Sequence, residues 1–304
     1  MDIFMIKKLR LILSLLIFSV GIQKPTQAQD TSTYYQITHP ETGAVSFLLG
    51  TYHNYPEGWY EVPDQIKSDL SKVTALVTEL GDVSSFTKPE KMTKAYRYKS
   101  GKTILDYMKK WQRDEFKRYL DEKISGSESQ KQSALNRRPY FMINQLFGLR
   151  FSDSVMNMEN ELKLLAREKN LPLLDLEPDE KRIYQIAKQY GRKTPVQNIQ
   201  LTIDFTLTAT AKMFSHYLEG DVEAMKKMGP GPGQLAIERN RYWLPQLDSM
   251  LKKPHFVAVG AGHLMGEEGI HNLLRKEGFE VVPIPMKLPI PEDLELLLSK
   301  MEIE

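Results

Sequence analysis

The chain has 304 residues, 41% of them hydrophobic and 26% charged, and no cysteine. The absence of cysteine excludes disulfides, thiolate metal ligands, a cysteine nucleophile and lipid attachment through cysteine, so any metal must be held by nitrogen and oxygen donors. The formal charge of +2 comes from 41 basic and 39 acidic side chains; four of the basic and one of the acidic lie within residues 1–28, so the remainder carries −1 and offers no basic footprint for nucleic acid.

Lys7, Lys8 and Arg10 form a basic head, Leu11 to Ile22 an apolar run, and Thr26-Gln27-Ala28 a small-residue cleavage site. This order predicts a secretory signal peptide over residues 1–28. The apolar run falls short of the roughly 20 residues that span a bilayer. The expectation is an exported protein, periplasmic or secreted, with a single α/β domain over residues 29–304 and no membrane span after cleavage.

Short apolar runs bounded by turn residues predict strands at Val45–Leu49, Ala75–Thr78, Leu171–Leu174, Phe256–Val259 and Phe279–Val282. Most are continuous rather than alternating, the pattern of strands buried on both faces, so a central mixed, partly parallel sheet covered by helices is expected. Residues 86–251 read as a large, mainly helical insertion. One helical stripe is Val155, Met158, Leu162 and Leu165, and another is Ile183, Ile186, Ala187 and Tyr190. Ser125 to Arg138 is polar and reads as a mobile connection, and Gly229-Pro-Gly-Pro-Gly233 as a stop between helices. The two ends of the chain then build one sheet, with the middle helices over its carboxyl edge.

Two predicted strands end alike, in Gly50-Thr51-Tyr52-His53 and in Gly260-Ala261-Gly262-His263. Glycine at a strand end permits a tight turn or close backbone approach, and the third residue after it can project an imidazole into a cleft at the sheet edge. Glu79 follows the second strand, and shares that edge with His53 if the first two strands are neighbours. A carboxylate with two imidazoles can hold a divalent metal that activates water. The same groups can instead act without metal, one imidazole serving as general base oriented by Glu79.

Arg239 shares the inward stripe of a helix with Leu235, Trp243 and Leu247. A buried guanidinium suits a carboxylate or a developing oxyanion. The competing reading is a structural ion pair with Glu177 or Glu79, or a side chain lying along Trp243. Glu177, Thr51 and Asn240 are candidates for substrate binding.

These same residues, with the run Val259-Gly260-Ala261-Gly262-His263-Leu264-Met265-Gly266, carry a resemblance to the TraB/GumN superfamily across roughly residues 34–286. That superfamily includes the TIKI metalloproteases and is similar in fold to erythromycin esterases and ChaN-like haem-binding proteins. The resemblance implies an α/β fold in which both Gly-x-x-His motifs meet at one site. It also implies His53, Glu79 and His263 as metal or catalytic residues, Arg239 as transition-state stabiliser, and Mn²⁺ or Co²⁺ as in the TIKI branch. Where the family usually has Gly-x-Asp, this chain has Met156-Asn157-Met158-Glu159.

The expected activity is metal-dependent, peptidase-like hydrolysis of a peptide or small-molecule substrate, with Mn, Co or Zn held by His53, Glu79 and His263. The alternatives are a metal-independent esterase-type hydrolase and a non-catalytic peptide- or haem-binding protein.

Overall fold

The computed structural model describes residues 32–80, 96–99, 101–152, 154–177, 179–192, 199–228 and 233–301. The predicted leader and Gly229 to Pro232 lie outside the described residues. Thr31–Glu304 forms one compact unit.

In chain order the strands are β1 (Tyr34–Thr38), β2 (Val45–Thr51), β3 (His53–Pro56), β4 (Leu76–Thr78), β5 (Val155–Asn157), β6 (Leu173–Asp175), β7 (Phe256–Gly260) and β8 (Glu280–Pro283). The helices begin with α1 (Asp64–Leu70), α2 (Lys110–Lys123), α3 (Glu128–Leu135), α4 (Pro139–Phe151), α5 (Met158–Glu168) and α6 (Glu180–Arg192). They continue with α7 (Ile199–Glu219), α8 (Val222–Lys227), α9 (Gln234–Met250), α10 (Ile270–Lys276) and α11 (Glu292–Met301).

Six strands form one sheet in the order β6-β4-β7-β2-β1-β8. β6, β4, β7 and β2 are parallel neighbours, while β1 runs antiparallel to both β2 and β8. The expected mixed, partly parallel sheet is therefore present. Its centre is β7, whose Phe256 to Val259 are all buried, as a strand covered on both faces requires. Val257 and Val259 join Leu48, Val77, Trp243 and Leu247 on one face, against α9 and α10. Phe256 and Ala258 join Leu49, Leu76, Ile66 and Leu162 on the other, against α1 and α5.

A third core belongs to the helical insertion and contains Tyr55, Trp59, Phe116, Phe147, Phe214 and Tyr217. Met158, Ala261 and Met265 belong to it as well, and they join it to the carboxyl ends of β2 and β7. β3 and β5 make a separate antiparallel pair at this junction, with His53 opposite Asn157.

Three local expectations need correction. Ser125 to Arg138 is not a loose connection: it contains α3, where Ser127 and Gln130 cap each other, the backbone N–H of Ser127 donating to Gln130 Oε1 at 2.7 Å. Ala134 and Leu135 then anchor that helix in the core. The stripe beginning at Val155 is not wholly helical, because Val155 to Asn157 pair with β3 and the helix starts at Met158 under an Asn157 cap. Finally, β2 and β4 are not adjacent, since β7 lies between them.

Candidate active site at the carboxyl edge of the sheet

β2 and β7 run parallel with Thr51 opposite Gly260, so both motifs leave the same edge. Neither is a simple turn: β2 continues through Gly50, and His53 already belongs to β3, whereas Gly260 is followed by a 3-10 turn, Ala261–Leu264. Gly50 is needed for close approach, because a Cβ there would come within 2.6 Å of Leu264 Cδ1 and 3.1 Å of Ala261 Cα. At Gly260 a Cβ would lie 3.2 Å from Glu79 Oε1 and 3.3 Å from His53 Nε2. The missing side chain thus lets two functional groups converge on the end of β7. At Gly262 a Cβ would meet nothing within 4 Å; this glycine lines the cleft.

Glu79 follows β4 and reaches Gly260 across the edge. Its Oε1 accepts from the Gly260 N–H at 2.7 Å, and its Oε2 accepts from Arg239 Nη2 at 2.6 Å. Burial alone would raise its pKa, but the charge of Arg239, helped by His263 and His53, holds the carboxyl well below the usual carboxylate range. Arg239 also donates Nε to Glu177 Oε1 at 3.1 Å and Nη1 to His263 Nε2 at 3.2 Å. Its guanidinium lies 4.5 Å from the centroid of Trp243. Arg239 therefore makes both ion pairs of its competing reading at once, with Glu177 and with Glu79, and three of its five N–H groups are engaged within the protein.

Asn240, one residue further along α9, fixes His263. Its Nδ2 donates to the carbonyls of His263 and Glu268 at 3.0 and 2.7 Å, which leaves Oδ1 to accept from His263 Nδ1 at 2.6 Å. The ring is thereby the Nδ1–H tautomer, with the Nε2 lone pair facing Arg239. Burial, outweighing Glu79, pulls its pKa down to about 4, so the imidazole is neutral at pH 7.

The structure adds a residue that the sequence reading did not select. Glu159, in the first turn of α5, is buried, with Oε1 3.5 Å from His53 Nε2 and 3.3 Å from Thr51 Oγ1, which donates to it. Burial pushes its pKa up to about 7, with Glu79 adding to the rise and His53 opposing it. Two neighbouring carboxylates thus hold opposite protonation preferences, a common arrangement for dividing acid and base roles. A signal was present: Glu159 shares the apolar stripe of Leu162 and Ala166 at spacings of three and seven, as Arg239 does on α9.

His53 is the most open member of the group, its side chain 38% exposed. The backbone N–H of Asn160 donates to Asn157 Oδ1, so Asn157 Nδ2 faces His53 Nδ1 and donates at 2.7 Å. The imidazole proton then sits on Nε2, toward Glu159. His53 opens into a cavity of about 450 Å³ lined also by Tyr52, Phe141, Phe147 and Met213.

Among the described residues, the ligating atoms that lie within 4.8 Å of one another are those of His53, Glu79 and Glu159, while His263 Nε2 lies 3.2 Å from Arg239 Nη1 and 3.5 Å from Glu79 Oε1. One imidazole and two carboxylates match the nitrogen and oxygen preferences of a divalent cation, and a cation would relieve the repulsion between two buried carboxylates. Of the substrate-binding candidates Thr51, Glu177 and Asn240, Thr51 lines the cavity, and all three are hydrogen-bonded within the protein. Thr51 bonds Glu159; Glu177 accepts from Arg239, Trp243 and Arg182; Asn240 is used up by His263 and Glu268.

Fold and site together define an α/β protein with a buried carboxylate–imidazole cluster at the carboxyl edge of its sheet. The chain belongs to the TraB/PrgY/gumN family, whose family model matches residues 34–283. No curated protein and no solved structure matches the chain.

Proposed function

We propose that the protein is an exported hydrolase that cleaves amide bonds in a peptide or small-molecule substrate, in the manner of the metallopeptidase branch that the TIKI proteins represent. The observation that carries this reading is the convergence of His53, Glu79 and Glu159 around the end of β7, beside a half-open cleft of mixed polar and apolar lining. A Mn²⁺, Co²⁺ or Zn²⁺ ion held by these three side chains supplies Lewis acidity and an activated water when bound.

The remaining residues act as positioning groups. Arg239 keeps Glu79 ionised and ties it to Glu177, while Asn240 fixes the His263 ring against Arg239. Thr51 and His53 hold Glu159, which is able to gain and lose a proton near neutral pH. The aromatic and thioether side of the cavity receives the apolar part of the substrate. Export rests on the leader pattern of residues 1–28, with residues 29–304 as the mature single domain; among the described residues no helix is long and apolar enough to cross a membrane.

One observation favours a second reading, metal-independent acid–base hydrolysis of the esterase type. With Asn157 donating to Nδ1, His53 carries its proton on Nε2, the atom a cation would need.

The test is turnover of a fluorogenic peptide and anilide panel by the purified protein, with chelator or with each ion, wild type beside His53→Ala. Ion-dependent cleavage, at least about 10²-fold weaker in the variant, supports the proposal. Cleavage that survives exhaustive chelation establishes the second reading. Ligand affinity without turnover on any substrate overturns both.

A further inference from the structure

Two arginines beside the candidate site are paired with carboxylates, and one that lines the cavity is not. Arg239 is paired with Glu79 and Glu177, and Arg182 with Glu177. Arg137 lines the same cavity as His53, yet its nearest charged neighbour is another cation. An isolated antiparallel bridge joins Arg97 to Arg137, and both guanidinium groups lie 5.9 Å from the ring centroid of Tyr96. Arg138 lies 5.6 Å from that of Tyr98. Among the described residues no carboxylate pairs with any of these three arginines.

Arg137 Nε is, in addition, buried with no hydrogen-bond partner. Burial first, and the adjacent Arg97 second, pull its guanidinium below the ordinary arginine value. A half-buried cation facing a like charge is unfavourable unless an anion completes it, and none is supplied among the described residues. The rest of the wall holds no carboxylate; it combines an apolar side of Phe141, Phe147 and Met213 with the polar groups of Asn144, Asn157 and His53. This arrangement suits a single negative charge carried on an apolar body.

We infer that Arg137, reinforced by Arg97, is an anion subsite of the cleft that takes a carboxylate. On the hydrolase reading, which this inference deepens, the substrate class is an acyl or peptide compound with a free carboxylate. The anion site itself does not depend on that reading.

The experiment is calorimetric titration with N-benzoylglycine, its neutral amide N-benzoylglycinamide, and phenyl phosphate. Wild type is compared with Arg137→Gln, Arg97→Gln and His53→Ala. Wild type is expected to prefer the acid over the amide by about tenfold, or about 1.4 kcal/mol. The preference should shrink as salt is raised, disappear in Arg137→Gln, weaken in Arg97→Gln and persist in His53→Ala. Arg137→Gln should melt no lower than wild type, since it removes a like-charge contact.

Equal affinity for acid and amide, no saturable binding of the acid at ~10 mM, or a preference that survives Arg137→Gln overturns the subsite. Tighter binding of phenyl phosphate than of the acid overturns its assignment to carboxylate. A preserved acid preference in a protein without turnover would count against the hydrolase reading alone. Turnover without the preference would count against the subsite alone.

Discussion

Replacing Arg239 with Met keeps most of the side-chain volume and removes the cation that three buried groups share. Arg239 contacts Glu79 Oε2 at 2.6 Å, Glu177 Oε1 at 3.1 Å and His263 Nε2 at 3.2 Å, and the side chains of Arg239, Glu79 and Glu177 are 8%, 13% and 0% exposed. Removing one partner of a buried pair costs about 3–5 kcal/mol, chiefly because the other charge is left uncompensated. Glu177 keeps Arg182 and Trp243, whereas Glu79 keeps the Gly260 N–H and the His263 ring 3.5 Å from Oε1, and stands beside Glu159. The loss should therefore be about 5 kcal/mol, most of it from Glu79, against a typical domain stability of about 5–15 kcal/mol. At roughly 2–4 °C per kcal/mol for a large domain, the melting temperature falls by about 10–20 °C. Urea unfolding of wild type, Arg239→Met, Glu79→Gln and the double variant measures the coupling, and the double variant should recover at least ~1.5 kcal/mol relative to the sum of the singles. A single variant within about 1 kcal/mol of wild type, or additive singles, would refute the reasoning.

Three further outcomes follow from the same geometry. The Glu159 carboxyl, with its folded pKa raised to about 7, keeps a proton that the unfolded chain releases from about pH 4.5 upward, so its contribution to stability falls between those values. His263, lowered to about 4, contributes the opposite slope up to about 6.5. In the metal-free protein the two largely cancel, whereas Glu159→Gln should gain up to ~3 kcal/mol relative to wild type on going from about pH 5 to about pH 8; parallel unfolding profiles for the two proteins would be the contrary result. Gly260→Ala inserts a Cβ 3.2 Å from Glu79 Oε1 and 3.3 Å from His53 Nε2, and turnover should fall at least about tenfold with a stability loss under ~1.5 kcal/mol; unchanged turnover would show that the close approach does not matter. Asn240→Ala frees the His263 ring and leaves two carbonyls without their amide donor, and should lower both turnover and stability, the latter by about 1–3 kcal/mol; a fall in turnover alone would place Asn240 on the substrate.

Most of the strands visible in the sequence have continuous apolar runs, because burial on both faces of a central sheet, as in β7, leaves no room for polar alternation; the edge strand β8 alternates instead. β1 was not legible for the complementary reason: Tyr-Tyr-Gln-Ile-Thr is half polar, and its pairing with β2 and β8 is decided by neighbours far along the chain. β3 and β5 are four and three residues long, too short to show a period. Strand order is likewise a tertiary property: the sequence left open whether β4 neighbours β2, and β7 lies between them. At the site, His53, Glu79, Arg239 and His263 were legible as polar residues where apolar patterns end or are interrupted. Glu159 obeys that rule as well, but it falls where the chain departs from the expected Gly-x-Asp motif, and its place beside His53 depends on the β3–β5 pairing. The Glu177–Arg239 ion pair was among the sequence's readings of Arg239, whereas the role of Asn240 could not be read from spacing, since its partners His263 and Glu268 are more than 20 residues away.

The most direct test of the site is calorimetric and thermal-melt titration of the protein with Mn²⁺, Co²⁺ and Zn²⁺, in wild type, His53→Ala, Glu159→Ala and His263→Ala. The account predicts that at least one ion binds and raises the melting temperature of wild type by mass action. It also predicts that His53→Ala and Glu159→Ala abolish this response, and that His263→Ala, which lies outside the ligand set, retains it in weakened form. An ion response that ignores His53→Ala and Glu159→Ala, or the absence of any ion response in wild type, would contradict the metal centre on which the proposed hydrolase rests.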